Sequence, residues 1–238
     1  MECENTILQV ELTNNCNGEC WFCRNKEMTR ERGFMSLGTA KEIAELIEGR
    51  QDYILLHFYG ESLLHPDFIK FVEIFSEKGI KCAVYTNGKC LTDEMIEKIS
   101  ESKLYNLTIT LNRFEPYKQI EKLRKNWNGQ IIVSVLNIPP LEKEKGFYIN
   151  SNEAVKWAKK VGVQIQGLSY EYPEKIDGKL ACSFKMKNGD CTLRCKNQYS
   201  ITWKGDVLTC IKDYNGETVV GKYTELDKFK YQSKKCLY

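Results

Sequence analysis

Tyr53-Ile-Leu-Leu-His-Phe-Tyr59, a stripe of Phe68, Phe71, Val72 and Phe75, Lys81-Cys-Ala-Val-Tyr-Thr-Asn87, and a second stripe of Met95, Ile96 and Ile99 decide the fold. The two short runs are rich in β-branched, Leu and aromatic residues, as strands of a parallel sheet buried on both faces should be. The stripes recur at spacings of three and four, the period of a helix with one buried side. Pro66 stands where a first helical turn begins, and Gly79 where that helix ends. Residues 53–99 thus spell strand, helix, strand, helix.

The same alternation extends outward in both directions. Further strands are expected at Thr6–Leu12, Leu107–Leu111, Ile131–Asn137 and Val163–Leu168. Further helical stripes are Ile43 with Leu46 and Ile47, Ile120 with Leu123, and Val155 with Ala158. Pro116 and Gly162 mark a helix start and a helix end, while Thr92-Asp93-Glu94 and Ser151-Asn152-Glu153 read as N-caps with acidic first turns. Repeated strand–helix units mean an α/β fold with a parallel sheet. Six units are too few for a closed eight-unit barrel, so residues 1–170 are expected to form an open, partial (β/α)6 barrel. Beyond Tyr170 the alternation stops. Residues 171–238 carry five of the eleven cysteines, three Gly-containing turns and one hairpin pattern, Tyr199–Trp203 with Val207–Ile211. They read as a small metal-bearing appendage.

Composition narrows the class. The chain has 238 residues, 42% of them hydrophobic, enough for a sizeable core. No apolar run approaches the length of a membrane span, and Met1-Glu2-Cys3-Glu4-Asn5 lacks the features of a signal peptide. A soluble, cytoplasmic protein is expected. The net charge of +3 is too mild to imply nucleic acid. Residues 139–238 are the basic part, with 18 Lys/Arg against 12 Asp/Glu. That excess is either a solvated face or the counter-charge of a bound anionic centre. Eleven cysteines, an odd number, point in a non-exported protein to metal or cluster ligation or catalysis rather than disulfides.

Three of the cysteines follow the first strand: Leu12-Thr-Asn-Asn-Cys16-Asn-Gly-Glu-Cys20-Trp-Phe-Cys23. Asn and Gly accept the left-handed backbone with which a chain wraps a metal, and loops after barrel strands are where such folds place active sites. Three thiolates so close together suit an iron–sulfur cluster with one iron left open. A structural zinc site would want four ligands. Cys-x3-Cys-x2-Cys at this place resembles the signature of the radical S-adenosylmethionine (SAM) superfamily. Two further motifs follow in order. Tyr59-Gly60-Glu61-Ser62 resembles that family's Gly-Gly-Glu-Pro, and Tyr85-Thr86-Asn87-Gly88 its Thr-Asn-Gly. The resemblance covers about residues 6–170.

The resemblance implies a mechanism and a residue assignment. The open iron chelates SAM, one electron cleaves the sulfonium bond, and a 5′-deoxyadenosyl radical abstracts a hydrogen atom from an unactivated C–H bond. Cys16, Cys20 and Cys23 would ligate this 4Fe-4S cluster, and Phe22 would sit near adenine. Gly60, Glu61 and Ser62, with Asn87, match the SAM-binding loops, and Thr110 with Asn112 the ribose position. Tyr59 in place of the first Gly and Ser62 in place of Pro depart from the pattern. A one-electron reductant such as flavodoxin or ferredoxin is implied as partner.

The second group is Cys191, Cys195, Cys210 and Cys236. Cys195-x9-Gly205-x4-Cys210 resembles the opening half of the SPASM pattern, and the whole the shortened twitch form, which implies a second, auxiliary 4Fe-4S cluster. The alternative is a zinc site on the same four cysteines. Cys182 could replace Cys191 or Cys236 as ligand, could donate a hydrogen atom to a substrate radical, or could be a plain thiol. Cys3, Cys82 and Cys90 read as packing or incidental thiols. Glu11, Tyr59 and Tyr85 lie near strand ends and are candidates for proton transfer. His57 reads as a hydrogen-bonded core residue in preference to a substrate contact, and His65 as a helix cap. The motifs look most like twitch-domain aminocyclitol dehydrogenases, so oxidation of a small polar molecule or a peptide side chain is expected. The alternative is a ribosomal-peptide maturase, to which a separate protein could supply peptide recognition. A non-catalytic iron–sulfur or zinc protein is the reading from a different class.

Overall fold

All six strands expected from the sequence are present: β1 (Thr6–Val10), β2 (Tyr53–Leu55), β3 (Lys81–Thr86), β4 (Asn106–Leu111), β5 (Gln130–Asn137) and β6 (Gln164–Ser169). The computed structural model describes residues 5–20, 23–111, 116–137, 151–169, 175–176, 179–180 and 198–229. Helices α1 (Leu37–Ile47), α2 (Phe68–Glu77), α3 (Asp93–Glu101), α4 (Tyr117–Asn126) and α5 (Ser151–Val161) alternate with the strands. β1 to β6 pair in parallel in sequence order, the arrangement of a partial (β/α) barrel.

The helix boundaries follow from short-range chemistry. Thr92 Oγ1 accepts the Met95 N–H at 3.2 Å, the expected cap of α3. Before α2, His65 Nδ1 accepts the Asp67 N–H at 3.1 Å, but the cap position of α2 is Asp67; His65 caps the C-terminal end of the short 3-10 turn Ser62–Leu64, its N–H donating to the Ser62 carbonyl. α5 begins at Ser151 itself instead of using it as cap. Ala154, not Val155, shares the buried side of α5 with Ala158. β2 is shorter than its apolar run predicts, because the hydroxyl of Ser62 donates to the Leu56 carbonyl at 2.6 Å and turns the chain out of the ladder.

The register sorts the sheet into two unlike faces. Cys82 lies against Val72 of α2, which marks its side of β3 as the helix side. In register with it run Ile54, Leu107, Ile109, Ile131 and Val133, all buried in one apolar core. The opposite face carries Tyr85, Asn106, Thr108, Thr110, Ser134 and Gln166. The strands are therefore not apolar on both sides as expected. Side-chain alternation with period two writes Asn106-x-Thr108-x-Thr110 onto one face.

The hairpin expected after residue 171 is also present, as β9 (Gln198–Ile201) and β10 (Asp206–Leu208), with β11 (Val219–Lys222) beyond it. A two-residue antiparallel pair, β7 (Lys175–Ile176) and β8 (Lys179–Leu180), stands apart. β9 pairs in parallel with β1, Thr6 opposite Gln198 and Val10 opposite Ile201. One nine-stranded sheet results, in the order β11-β10-β9-β1-β2-β3-β4-β5-β6.

Candidate functional site

The loops after β1, β2 and β3 meet at one end of the sheet. Gly60 is the hinge of that meeting: a Cβ there would lie 1.8 Å from the Thr13 carbonyl oxygen, so only glycine lets the two loops touch. Next to it the Glu61 N–H donates to the Asn15 carbonyl at 2.8 Å. The buried Glu61 carboxylate reaches the third loop, accepting from the Thr86 hydroxyl and the Asn87 N–H, both at 2.8 Å, and from the Leu63 N–H at 3.2 Å. Burial pushes its pKa up, against the pull of these donors. Asn87 Nδ2 donates to Asn17 Oδ1 at 2.9 Å and faces Cys16 Sγ at 3.9 Å, which closes the ring of contacts. The three motifs found separately in the sequence are one hydrogen-bonded unit.

Within the cysteine loop the sulfurs act as acceptors. The Gly18 N–H donates to Cys16 Sγ at 3.3 Å, and the Asn25 N–H to Cys23 Sγ at 3.5 Å. A Cβ on Gly18 would come within 3.3 Å of Cys16 Sγ and 3.6 Å of Cys20 Sγ, so Gly18 keeps the space between them open. Burial, then the neighbouring Glu61 carboxylate and Cys23, push the Cys16 thiol up; burial raises Cys23 as well. To act as ligands these sulfurs must give up their protons, which a cationic centre between them would favour. Among the described residues no three His, Cys, Asp or Glu groups converge on a single-ion point. Three soft sulfurs on one loop, with Gly18 keeping open the space between Cys16 and Cys20, would suit a multi-iron cluster. Cys82 contrasts with them: buried, its Sγ directed at the Val72 and Ile80 carbonyls, and pushed up to about 12 by desolvation.

Cys210 repeats the pattern of the first loop. It is buried just past β10, and its Sγ accepts the Lys212 N–H at 3.4 Å, from the same two-residue offset as in Cys16 and Cys23. The loop beyond it is tied by the buried Asp213 carboxylate, which accepts from the Gly216, Glu217 and Thr218 N–H groups and the Thr218 hydroxyl. It docks on the first site. The Thr29 N–H donates to Asn215 Oδ1 at 2.9 Å, the Tyr59 hydroxyl to the Lys212 carbonyl at 3.2 Å, and the Tyr59 and Tyr214 rings are 5.9 Å apart.

Of the remaining candidate residues, Thr110 lies on the polar face one residue before the end of β4, and the Tyr85 ring lies 5.5 Å from that of His57. Phe22, Asn112, Cys182, Cys191, Cys195 and Cys236 lie outside the described residues, as does Cys3. Glu11 stands in an ion pair. It is fully buried and held by Arg30 through two bonds of 2.6 and 2.5 Å, with the Trp203 N–H on one oxygen. The pair ties the end of β1 to Arg30 and to the hairpin turn. Arg30 itself, unnoticed in the sequence, also donates to the Tyr214 carbonyl at 2.7 Å. Arg30→Ala should strand a buried carboxylate at a cost of about 3–5 kcal/mol, read as a lowered denaturant midpoint. Of the His57 ring, the buried Nδ1 has no partner among the described residues.

Comparison with known proteins gives a family whose model spans the three loops. The sequence model of the Radical SAM superfamily matches residues 10–165. The S-adenosyl-L-methionine-dependent 2-deoxy-scyllo-inosamine dehydrogenase of Niallia circulans is 24% identical over 225 residues, which span 92% of this chain and 79% of that protein. The fold is similar to that of BtrN in complex with AdoMet and 2-DOIA, with TM-score 0.62 and 22% identity over 96% of this chain and 82% of that one. It is also similar to Streptococcus suis SuiB bound to the precursor peptide SuiA, with TM-score 0.66 and 13% identity over 94% of this chain and 64% of that one.

Proposed function

The chain belongs to the radical SAM superfamily, and from that premise we propose that it oxidises a small polar substrate in a SAM-consuming reaction. When bound, a 4Fe-4S cluster with SAM supplies a 5′-deoxyadenosyl radical that takes a hydrogen atom from a substrate C–H bond. Cys16, Cys20 and Cys23 hold the cluster; Gly60, Glu61, Ser62 and Asn87 shape the SAM loops, and Thr110 stands at their edge. The observation that carries this reading is the joining of three strand-end loops through Gly60, Glu61 and Asn87 onto the Cys16 side.

The finer reading concerns the second electron. After hydrogen-atom removal the substrate loses one electron and one proton, which turns a secondary alcohol into a ketone. In this reading Cys191, Cys195, Cys210 and Cys236, within residues 171–238, would hold an auxiliary 4Fe-4S cluster, and such a cluster would supply an acceptor for that electron. The N–H donation to Cys210 Sγ, shared with Cys16 and Cys23, supports Cys210 as a ligand. The Tyr59 and Tyr85 hydroxyls remain the candidates for passing on the proton. The likeness to the Niallia circulans dehydrogenase supports a small polar substrate, while the likeness to SuiB is one of fold. The test is the mass of the product formed by reduced, reconstituted enzyme: two units below substrate, with one 5′-deoxyadenosine per product. An unchanged mass with solvent deuterium incorporated would mean epimerisation, and would bring Cys182 forward as hydrogen-atom donor.

Cys210→Ala should separate the two stages. Product formation is expected to fall at least tenfold, with 5′-deoxyadenosine production falling far less, and iron dropping from about eight to about four per chain. Equal losses in both, with iron unchanged, would remove Cys210 from the ligand set.

A further inference from the structure

The polar face of the sheet divides into two halves. Toward the start of the strands its groups satisfy one another. Asn106 Nδ2 donates to Gln130 Oε1, and Gln130 Nε2 to Gln164 Oε1, both at 3.1 Å, an amide ladder across β4, β5 and β6. Thr108 bonds Asn106 at 3.1 Å, and Gln9 bonds Ser200 at 3.0 Å. Nearer the loops that carry Cys16, Gly60 and Asn87 the pattern breaks. Two buried side-chain atoms among the described residues have no partner, Ser134 Oγ and His57 Nδ1. Both belong to this face: Ser134 pairs with Thr110 and Gln166, and His57 follows β2 beside Tyr85.

Native interiors leave few such atoms unpaired, and those that remain call for a missing ligand or another specific cause. We propose that the Ser134 hydroxyl and the His57 imidazole are hydrogen-bonding anchors for the substrate, and that this substrate is a compact polyhydroxylated molecule. The inference rests on the radical SAM reading of the adjacent loops. Desolvation lowers the His57 pKa to about 4, so at neutral pH the ring is uncharged, with one nitrogen donating and the other accepting. A substrate hydroxyl both donates and accepts. It therefore meets Nδ1 in either tautomer and the Ser134 hydroxyl in any rotor position. The two anchors stand on β5 and just past β2, three positions apart in the sheet, so a molecule that reached both would have to present hydroxyls on separate sides. An apolar peptide side chain would leave both unpaired, which disfavours it by about five- to 150-fold in affinity per group.

Two measurements on the reconstituted enzyme with SAM test this. Calorimetry compares 2-deoxy-scyllo-inosamine with cyclohexylamine, a ring of the same size and amine stripped of hydroxyls. The aminocyclitol is expected to bind at least tenfold more tightly. Ser134→Ala and His57→Leu should each remove about tenfold of that affinity and leave cyclohexylamine where it was, with His57→Asn, which keeps a polar group near Nδ1, losing less. The second measurement is melting. Ser134→Ala removes an unpaired hydroxyl, so the ring-free enzyme should melt about 2–4 °C higher, while the rise caused by aminocyclitol shrinks. Equal binding of the two rings, or no binding of either, overturns the substrate class. Loss of SAM affinity in place of ring affinity assigns Ser134 to the cofactor, and a lower melting temperature makes it structural; both overturn its role as anchor. SAM cleavage by the unvaried enzyme without any ring compound reports separately on the radical SAM reading.

Discussion

Replacing Cys16, Cys20 and Cys23 together by Ala is expected to bring 5′-deoxyadenosine formation down to the level of reductant and SAM without protein. The loss should be complete, because in the proposed reading the three thiolates hold the iron, and SAM needs the iron left open. Iron bound per chain should fall by about four. Cys82→Ala is the matched control. Its sulfur is buried against α2, with its own thiol directed at carbonyl oxygens, and its removal should leave cleavage intact. Cleavage surviving in the triple variant would sink the assignment of the site.

Gly60→Ala is expected to have the largest effect of the Gly→Ala changes at the described glycines. The new carbon would stand 1.8 Å from the Thr13 oxygen and 2.7 Å from its carbon, both backbone atoms that cannot rotate away. The loops after β1 and β2 must separate, and the Glu61 N–H bond to Asn15 goes with them. Overpacking of this kind costs about 1–3 kcal/mol, or a melting temperature lower by about 3–10 °C. SAM affinity should fall at least tenfold, since the cysteine loop and the Glu61–Asn87 bond no longer share a frame. Gly38→Ala, in the first turn of α1 with only the Ser36 hydroxyl nearby at 3.6 Å, should be neutral or mildly stabilising. Similar losses from both substitutions would mean that close approach at Gly60 is not what the site depends on.

What could be read in the sequence was what short-range periodicity encodes. Phe68, Phe71, Val72 and Phe75 announce α2 because a helix repeats within a few residues, and all four are buried together. The three motif loops were legible for the same reason, each being contiguous. Their bonding to one another was not, because the contact of Gly60 with Thr13 and of Glu61 with Asn87 depends on strand order. Glu11 was marked by its place at a strand end, but its partner Arg30 looks like any surface charge in a sequence that is 28% charged. Only the tertiary fold buries one against the other. The polar face was in principle visible, since Asn106, Thr108 and Thr110 alternate with Leu107, Ile109 and Leu111. The density of apolar residues in these strands masked it. The early end of β2 turned on one hydroxyl, Ser62, at a place where a sequence pattern suggests continuation.

The parallel pairing of β1 with β9 also sets an order of events as the chain is made. Thr6 finds its partner in Gln198, so on the ribosome β1 has a bare edge until most of the chain has emerged. Until then an exposed strand edge stands next to a loop of three cysteines, and that edge can pair with other chains. Contacts of such sequence separation are slow to form, because the entropy of closing the loop is lost before any bond is gained. A firm seat for iron therefore arises after synthesis rather than during it. Nascent or truncated chains ending before β9 should collect in aggregates even where iron and sulfide are plentiful.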